Sequence, residues 1–134
     1  FVGIVGTEHR CHAADTGRAG RLHQLAAQAH QARALLADPR RRPTAVMCIS
    51  DEMAMGTWMA AHSLGLRVPE DVSVMGLDGH PEAARLGIST VDQNPLEQGR
   101  RAVRLALGAL DGAAHPHRIM HHLALRPRAS TAPP

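Results

Sequence analysis

The stretch PTAVMCISDEMAMGTWMAAHSLGLRVPEDVSVMGLD, Pro43 to Asp78, decides how the chain is read. TAVMCIS is a short apolar, β-rich run, and it stops at Ser50 and Asp51, two residues suited to capping a helix. Apolar residues then recur through Met53, Met55, Met59 and Leu64 until Gly65, a residue that commonly ends helices. VPED makes a turn, and Val72 to Leu77 forms a second apolar run that ends in Asp78. Strand, helix and strand in this order predict a parallel α/β unit. In such sheets ligands bind beyond the carboxyl ends of the strands. Asp51 and Asp78 both stand there, so both are expected to face a crevice, although Asp51 also reads as a helix cap.

The same alternation extends outward. FVGIVG, at Phe1 to Gly6, reads as a buried strand ending in glycine. Thr7 to Thr16 lacks periodicity and reads as loop. From Arg18 to Ala37, apolar residues at Leu22, Leu25, Ala29, Ala32, Leu35 and Leu36 follow helical spacing, and Asp38-Pro39 stops the helix. HPEAARLG suits a short helix and STVDQNP an extended segment. Pro95 opens a helix to Leu110 that closes at Asp111-Gly112. HRIMHHLALRP predicts a last strand over Ile119 to Leu125, and RASTAPP a polar exit. The fold class is therefore α/β, a parallel sheet flanked by helices.

Composition narrows the function. The chain has 134 residues, enough for one cored domain, and 44% are hydrophobic. It has one Phe, one Trp and no Tyr, so aromatic platforms that stack on sugars or bases are scarce. All fifteen basic residues are Arg, and the net charge is +3. Only Pro39 to Pro43, PRRRP, is densely basic, and it reads as a solvated loop rather than a nucleic-acid surface. Cys11 and Cys48 form no paired motif, which suits a reducing cytoplasm. No segment approaches the length of a membrane span. The chain begins in mid-strand without Met and reads as a piece of a longer protein.

Enzymatic and metal chemistry find little support. Two carboxylates could serve as acid and base, but no nucleophile, phosphate loop or cofactor motif accompanies them, and no cofactor is expected. Ten histidines include EHRCH (Glu8, His9, Cys11, His12) and HPHRIMHH (His115, His117, His121, His122). Neither has the spacing of zinc motifs, and adjacent His121 and His122 point to opposite faces of a strand. His23 and His30, two helical turns apart, read as a surface stripe. No metal site is assigned.

The segments PTAVMCISDEMAMGTWMAAHSLGLRVPEDVSVMGLD, ISTVDQNPLEQGRRAVRLALGALDG and LRPRASTAPP together resemble the LacI/GalR family of bacterial transcriptional regulators. The match runs from about Pro43 to the end and falls on the C-terminal part of the effector-binding core. The resemblance implies a partial periplasmic-binding-protein-like fold of two α/β subdomains joined by three crossings, with a small ligand between them. Residues 1–90 and 117–134 would form the C-terminal effector-binding subdomain. Residues 91–116 would supply the third crossing and a helix of the N-terminal subdomain. The implied effector contacts are Asp78 in GLD, the pair Ser50 and Asp51, and Arg18 in TGRAGRL, the nearest match, one residue out of register, to an arginine that opens the first helix, with Arg21 as the alternative. The implied effector is a sugar or similar small polar metabolite. Operator DNA would be read only by a helix-turn-helix absent from this chain. Relatives carry a further strand and helix before PTAV; here one helix fills that interval. A periplasmic sugar-binding protein of a transporter is the alternative, since GLDGHPEA resembles that group as well.

The helix after Asp51 also suggests self-association. Met55, Trp58, Met59 and His62 share one stripe at 100° per residue, and Met and Trp are favoured at protein contacts. The resemblance implies pairing through this helix, so a cytoplasmic homodimer is expected.

Overall fold

The computed structural model describes residues 2–5, 28–112 and 118–133 of the chain. Its elements are β1 (Val2–Val5), α1 (residues 28–36), β2 (Ala45–Cys48), α2 (Asp51–Ser63) and β3 (Ser73–Asp78). These are followed by α3 (Pro81–Arg85), β4 (Ser89–Asp92), α4 (Pro95–Leu110) and β5 (Ala124–Arg126). The five strands form one sheet in sequence order. β1 to β4 run parallel, with Val46 opposite Val74 and Leu77 opposite Val91. β5 runs antiparallel to β4, so the expected parallel sheet has one reversed edge.

The core lies on one face of the sheet. Val46 and Cys48 of β2 and Val74 of β3 are buried together with Ala32 and Leu36 of α1 and Ala54, Ala60 and Ala61 of α2. Side chains alternate across a strand, so Met47 points to the other face, where it is 41% exposed. Burial pushes the Cys48 thiol above its ordinary range, and its contact with Thr57 Oγ1 at 3.5 Å is internal.

A core of small side chains needs close approach between elements, and two glycines provide it. At Gly76 of β3 an added Cβ would meet Asp51 Cα at 3.0 Å and Ala54 Cβ at 3.1 Å. At Gly56 of α2 it would meet Gln28 Cβ at 2.9 Å and Ala29 N at 3.1 Å. The first two turns of α2 are therefore enclosed between the sheet and α1. Ser50 caps α2, accepting from Met53 N–H at 3.2 Å. The loop after α2 is braced by Arg67, whose guanidinium holds the Asp71 carboxyl down to about 2.

The chain end differs from its expected form. The last strand is Ala124–Arg126, overlapping the predicted Ile119 to Leu125 only at Ala124 and Leu125. The segment read as a polar exit is instead tied into the sheet. Ser130 Oγ accepts from Ser89 N–H at 2.8 Å and donates to Val74 C=O at 2.5 Å. Ser130 C=O accepts from Val74 N–H at 2.8 Å, and Ser130 N–H donates to Gly87 C=O at 3.0 Å. Ser130 thus satisfies the backbone at the entry ends of β3 and β4, where parallel strands leave donors and acceptors unpaired.

Among the described residues no helix is long and apolar enough to cross a membrane. Gly76→Ala should cost about 1–3 kcal/mol of stability, the usual cost of overpacking a filled core. Gly99→Ala, in α4 where an added Cβ meets nothing within 4 Å, should instead gain up to about 1 kcal/mol from helix propensity. Urea unfolding of both variants checks the pair; equal effects would contradict the close contact at Gly76.

Candidate functional site

β2 and β3 end side by side, and the polar residues gather at their carboxyl ends. Asp78 closes β3 with φ +128°, followed by Gly79 at φ +82°. A positive φ is uncommon outside glycine, and Asp is among the residues that tolerate it best. Such a conformation costs on the order of 1–3 kcal/mol and persists only where its surroundings enforce it. The Asp78 carboxylate is half-buried and its Oδ1 accepts from Gln93 Nε2 at 2.9 Å. Asp78 C=O also accepts from Gln93 N–H at 3.3 Å, and Gln98 Nε2 donates to Gln93 C=O at 2.5 Å. Gln93 thus ties the aspartate to the segment leaving β4 and to the first turn of α4.

Burial holds the Asp78 carboxyl above the usual range; the neighbouring Asp51 and Glu52 carboxylates push the same way, and the Asp51 backbone N–H and the Gln93 amide oppose them. These donors do not fully offset burial and the neighbouring charges, so the charged form remains disfavoured.

Asp51, expected to face the crevice as an effector contact, is an internal residue. It is 0% exposed. Its Oδ1 accepts from Thr90 Oγ1 at 2.5 Å and its Oδ2 from His80 N–H at 2.6 Å. The cause is position: as the first residue of α2, packed against Gly76, its side chain turns toward β4 and under the turn after β3. Ser50 is half-buried beside it, and its hydroxyl is occupied as the α2 cap. Arg18 lies outside the described residues.

Of the stripe proposed for self-association, Met55 also departs from expectation. It is 6% exposed and belongs to the core, because the opening turns of α2 are buried all round. Trp58 is half-buried and leans on the core; its ring lies 3.9 Å from that of His62, whose Nδ1 bonds Trp58 C=O at 2.9 Å. Met59, 48% exposed, and His62 remain on the surface. Among the described residues no three His, Cys, Asp or Glu side chains are grouped to hold a metal ion.

Three residues of this site carried no signal strong enough to single them out. Thr90, Gln93 and His80 matter through what they bond to, and only the register that sets Asp78 opposite Asp92 reveals it. The cue lay in STVDQN, where a hydroxyl and an amide flank an otherwise extended segment.

Residues 3–131 match the model of the periplasmic binding protein-like domain. The chain belongs to that family, in its LacI-type regulator branch. Over 95 residues it is 41% identical to the HTH-type transcriptional regulator MalR of Streptomyces coelicolor, covering 67% of this chain and 28% of that one. It is 36% identical over 114 residues to the HTH-type transcriptional repressor PurR of Pectobacterium carotovorum, covering 83% and 30%. A crystal structure of a LacI-family regulatory protein from Corynebacterium glutamicum matches at TM-score 0.70 and 36% identity, over 82% of this chain and 43% of that one. A LacI-family regulator from Lactobacillus casei with bound sucrose matches at TM-score 0.70 and 28% identity, over 80% and 40%. The lac repressor dimer bound to operator and the anti-inducer ONPF matches at TM-score 0.72 and 27% identity, over 79% and 37%. The chain thus spans about 30% of the length of its curated relatives. These relatives favour a regulator over a transporter's binding protein.

The raised Asp78 carboxyl has a consequence for stability. A carboxyl with a folded pKa above its unfolded value gives the fold extra protons in that window, so stability falls as pH rises through it and stays lower above. Asp78→Asn removes the charge, keeps an acceptor for Gln93 and tolerates positive φ. It should melt above the parent at neutral pH, with the gap closing as pH falls below about 3.9, the ordinary aspartate value. A variant melting below the parent at pH 7 would contradict the electrostatic account.

Proposed function

We propose that this chain is the effector-sensing part of a LacI-type transcriptional regulator, and that Asp78 is its principal effector contact. The observation that carries the reading is the Asp78 carboxylate, held in a left-handed turn at the carboxyl end of β3 and steadied by Gln93 of the following crossing. A carboxylate accepts from two donors at once, which suits the paired hydroxyls of a sugar. The sucrose held by the Lactobacillus casei relative supports a sugar-like effector. Ser50, after the carboxyl end of β2, is proposed as a secondary contact, and Arg18 is proposed to reach the same ligand.

In this reading residues 1–90 and 117–134 form one wall of the cleft, and residues 91–116 belong to a second subdomain. The surface of α4 supports that division. Leu96, Val103, Leu107 and Leu110 make an exposed apolar stripe, and among the described residues no α4 side chain is buried. A helix with so strong an apolar face is built to be covered. Effector binding would favour one closure of the two walls and so shift the population able to hold operator DNA. The DNA would be read by a helix-turn-helix outside this chain, in the cytoplasm. The protein would pair as a homodimer through the exposed end of α2, at Trp58, Met59 and His62.

Isothermal titration of the intact regulator with mono- and disaccharides tests the site. Asp78→Gly removes the carboxylate at a position whose φ glycine accepts freely. It should weaken the tightest sugar tens-fold or more, since each charge-assisted hydrogen bond contributes about 1.5–3 kcal/mol. Unchanged affinity in the folded variant would remove Asp78 from the site. For assembly, sedimentation should show a dimer that Met59→Arg shifts toward monomer; a dimer indifferent to that change would place the pairing face elsewhere.

A further inference from the structure

The turn from β3 to α3 is tied to one internal carboxylate by two consecutive amides, one directly and one through a hydroxyl. His80 N–H donates to Asp51 Oδ2 at 2.6 Å. Gly79 N–H donates to Thr90 Oγ1 at 3.4 Å, and that hydroxyl gives its own proton to Asp51 Oδ1 at 2.5 Å. Here Asp51, the first residue of α2 and wholly buried, takes the His80 amide directly and the Gly79 amide through Thr90 Oγ1. Asp78, the residue before these amides, has the conformation that needs enforcing, with φ +128°.

The two oxygens of Asp51 take donors from two separate elements, β4 and the turn. An acceptor with one oxygen could satisfy only one of them; an amide at this position would present its NH2 group to the other donor. Thr90 has a single hydroxyl proton, so donating to Asp51 leaves its oxygen to accept from Gly79, and the chain of bonds has a defined direction. The space around Gly76 adjoins the same carboxylate, with Asp51 Cα 3.0 Å from where a Cβ would stand.

We propose that Asp51 is a positioning residue for the effector site: with Thr90 it locks the Asp78–Gly79–His80 turn in the conformation that presents Asp78 to the cleft, and it does so without touching the effector. The proposal rests on the reading of Asp78 as an effector contact. It assigns one acid of the site to ligand and the other to the turn beneath it. Because Thr90 lies on the strand that leads into the crossing, the lock also couples the aspartate's orientation to the segment joining the two walls.

The test joins two readouts on Asp51→Asn, Thr90→Val and Thr90→Ser. In the 134-residue chain, NMR couplings and intraresidue amide–Hα contacts report the positive φ of Asp78. In the intact regulator, calorimetric titration with glucose, ribose, maltose and sucrose reports binding. Asp51→Asn and Thr90→Val should lose the positive-φ signature while β2–β3 amide contacts persist, and should weaken the best sugar about ten-fold or more. Thr90→Ser, which keeps the hydroxyl, should retain both, a rescue that a merely space-filling role for Thr90 would not produce. If Asp51→Asn does not fold, the Thr90→Val and Thr90→Ser pair decides. A folded Asp51→Asn or Thr90→Val with the Asp78 signature and sugar affinity intact would overturn the proposal. Loss of the signature in a regulator whose parent binds none of these sugars would sink the effector reading, while leaving the hold of Asp51 on the turn established.

Discussion

The buried carboxylate of Asp51 is the constraint around which the rest of the site is arranged. A charge-bearing group taken out of water needs its lone pairs filled, and an unfilled one is strongly destabilising. Here both oxygens are filled, by Thr90 and by His80 N–H. Satisfying Asp51 therefore requires α2, β4 and the turn after β3 to meet at one point. Once they meet there, Asp78 has only one way to face. A polar network of this kind specifies a single arrangement only when every member is satisfied.

The small residues of the chain follow from the same requirement. Asp51 reaches Thr90 because Gly76 lets the start of α2 lie directly against β3, and Gly56 lets α1 close over the other side. With one Phe and one Trp in the chain, few aromatic side chains are available to hold these elements apart. The far ends of β3 and β4 are secured in a comparable way by Ser130, whose hydroxyl bridges Ser89 N–H and Val74 C=O. The sheet is thus pinned at both ends by short polar side chains and filled between them by Val, Ala and Leu. Only α4 stands outside this scheme, with its leucines uncovered among the described residues.

How much of this the residues announce depends on the range of the interaction. β2, α2, β3 and α4 are legible because each is written locally: an apolar run, a cap at Ser50, a stop at Gly65, a Pro at the first turn of α4. Asp78 is legible as a candidate because it ends a strand, and strand ends open onto clefts. Asp51 looks the same by that rule and is not the same. Its partners, Thr90 and the amide of His80, lie 39 and 29 residues away, and periodicity carries no information over that distance. Met55 misleads for a related reason, since the opening turns of α2 are buried all round, which helical periodicity alone does not show. The short last strand and the clasp at Ser130 are long-range too, Ser130 and Val74 being 56 residues apart.

The most direct test of the central claim is a double-mutant cycle between Asp51→Asn and Thr90→Val, read by urea unfolding of the chain. Residues in one hydrogen-bonded network couple by about 0.5–3 kcal/mol, whereas independent sites add within about 0.3–0.5 kcal/mol. The account predicts coupling of about 1 kcal/mol or more, because either substitution already breaks the bond that the other would break. Strict additivity would mean that Asp51 and Thr90 are not joined in solution, and the turn that presents Asp78 would then be held by something else.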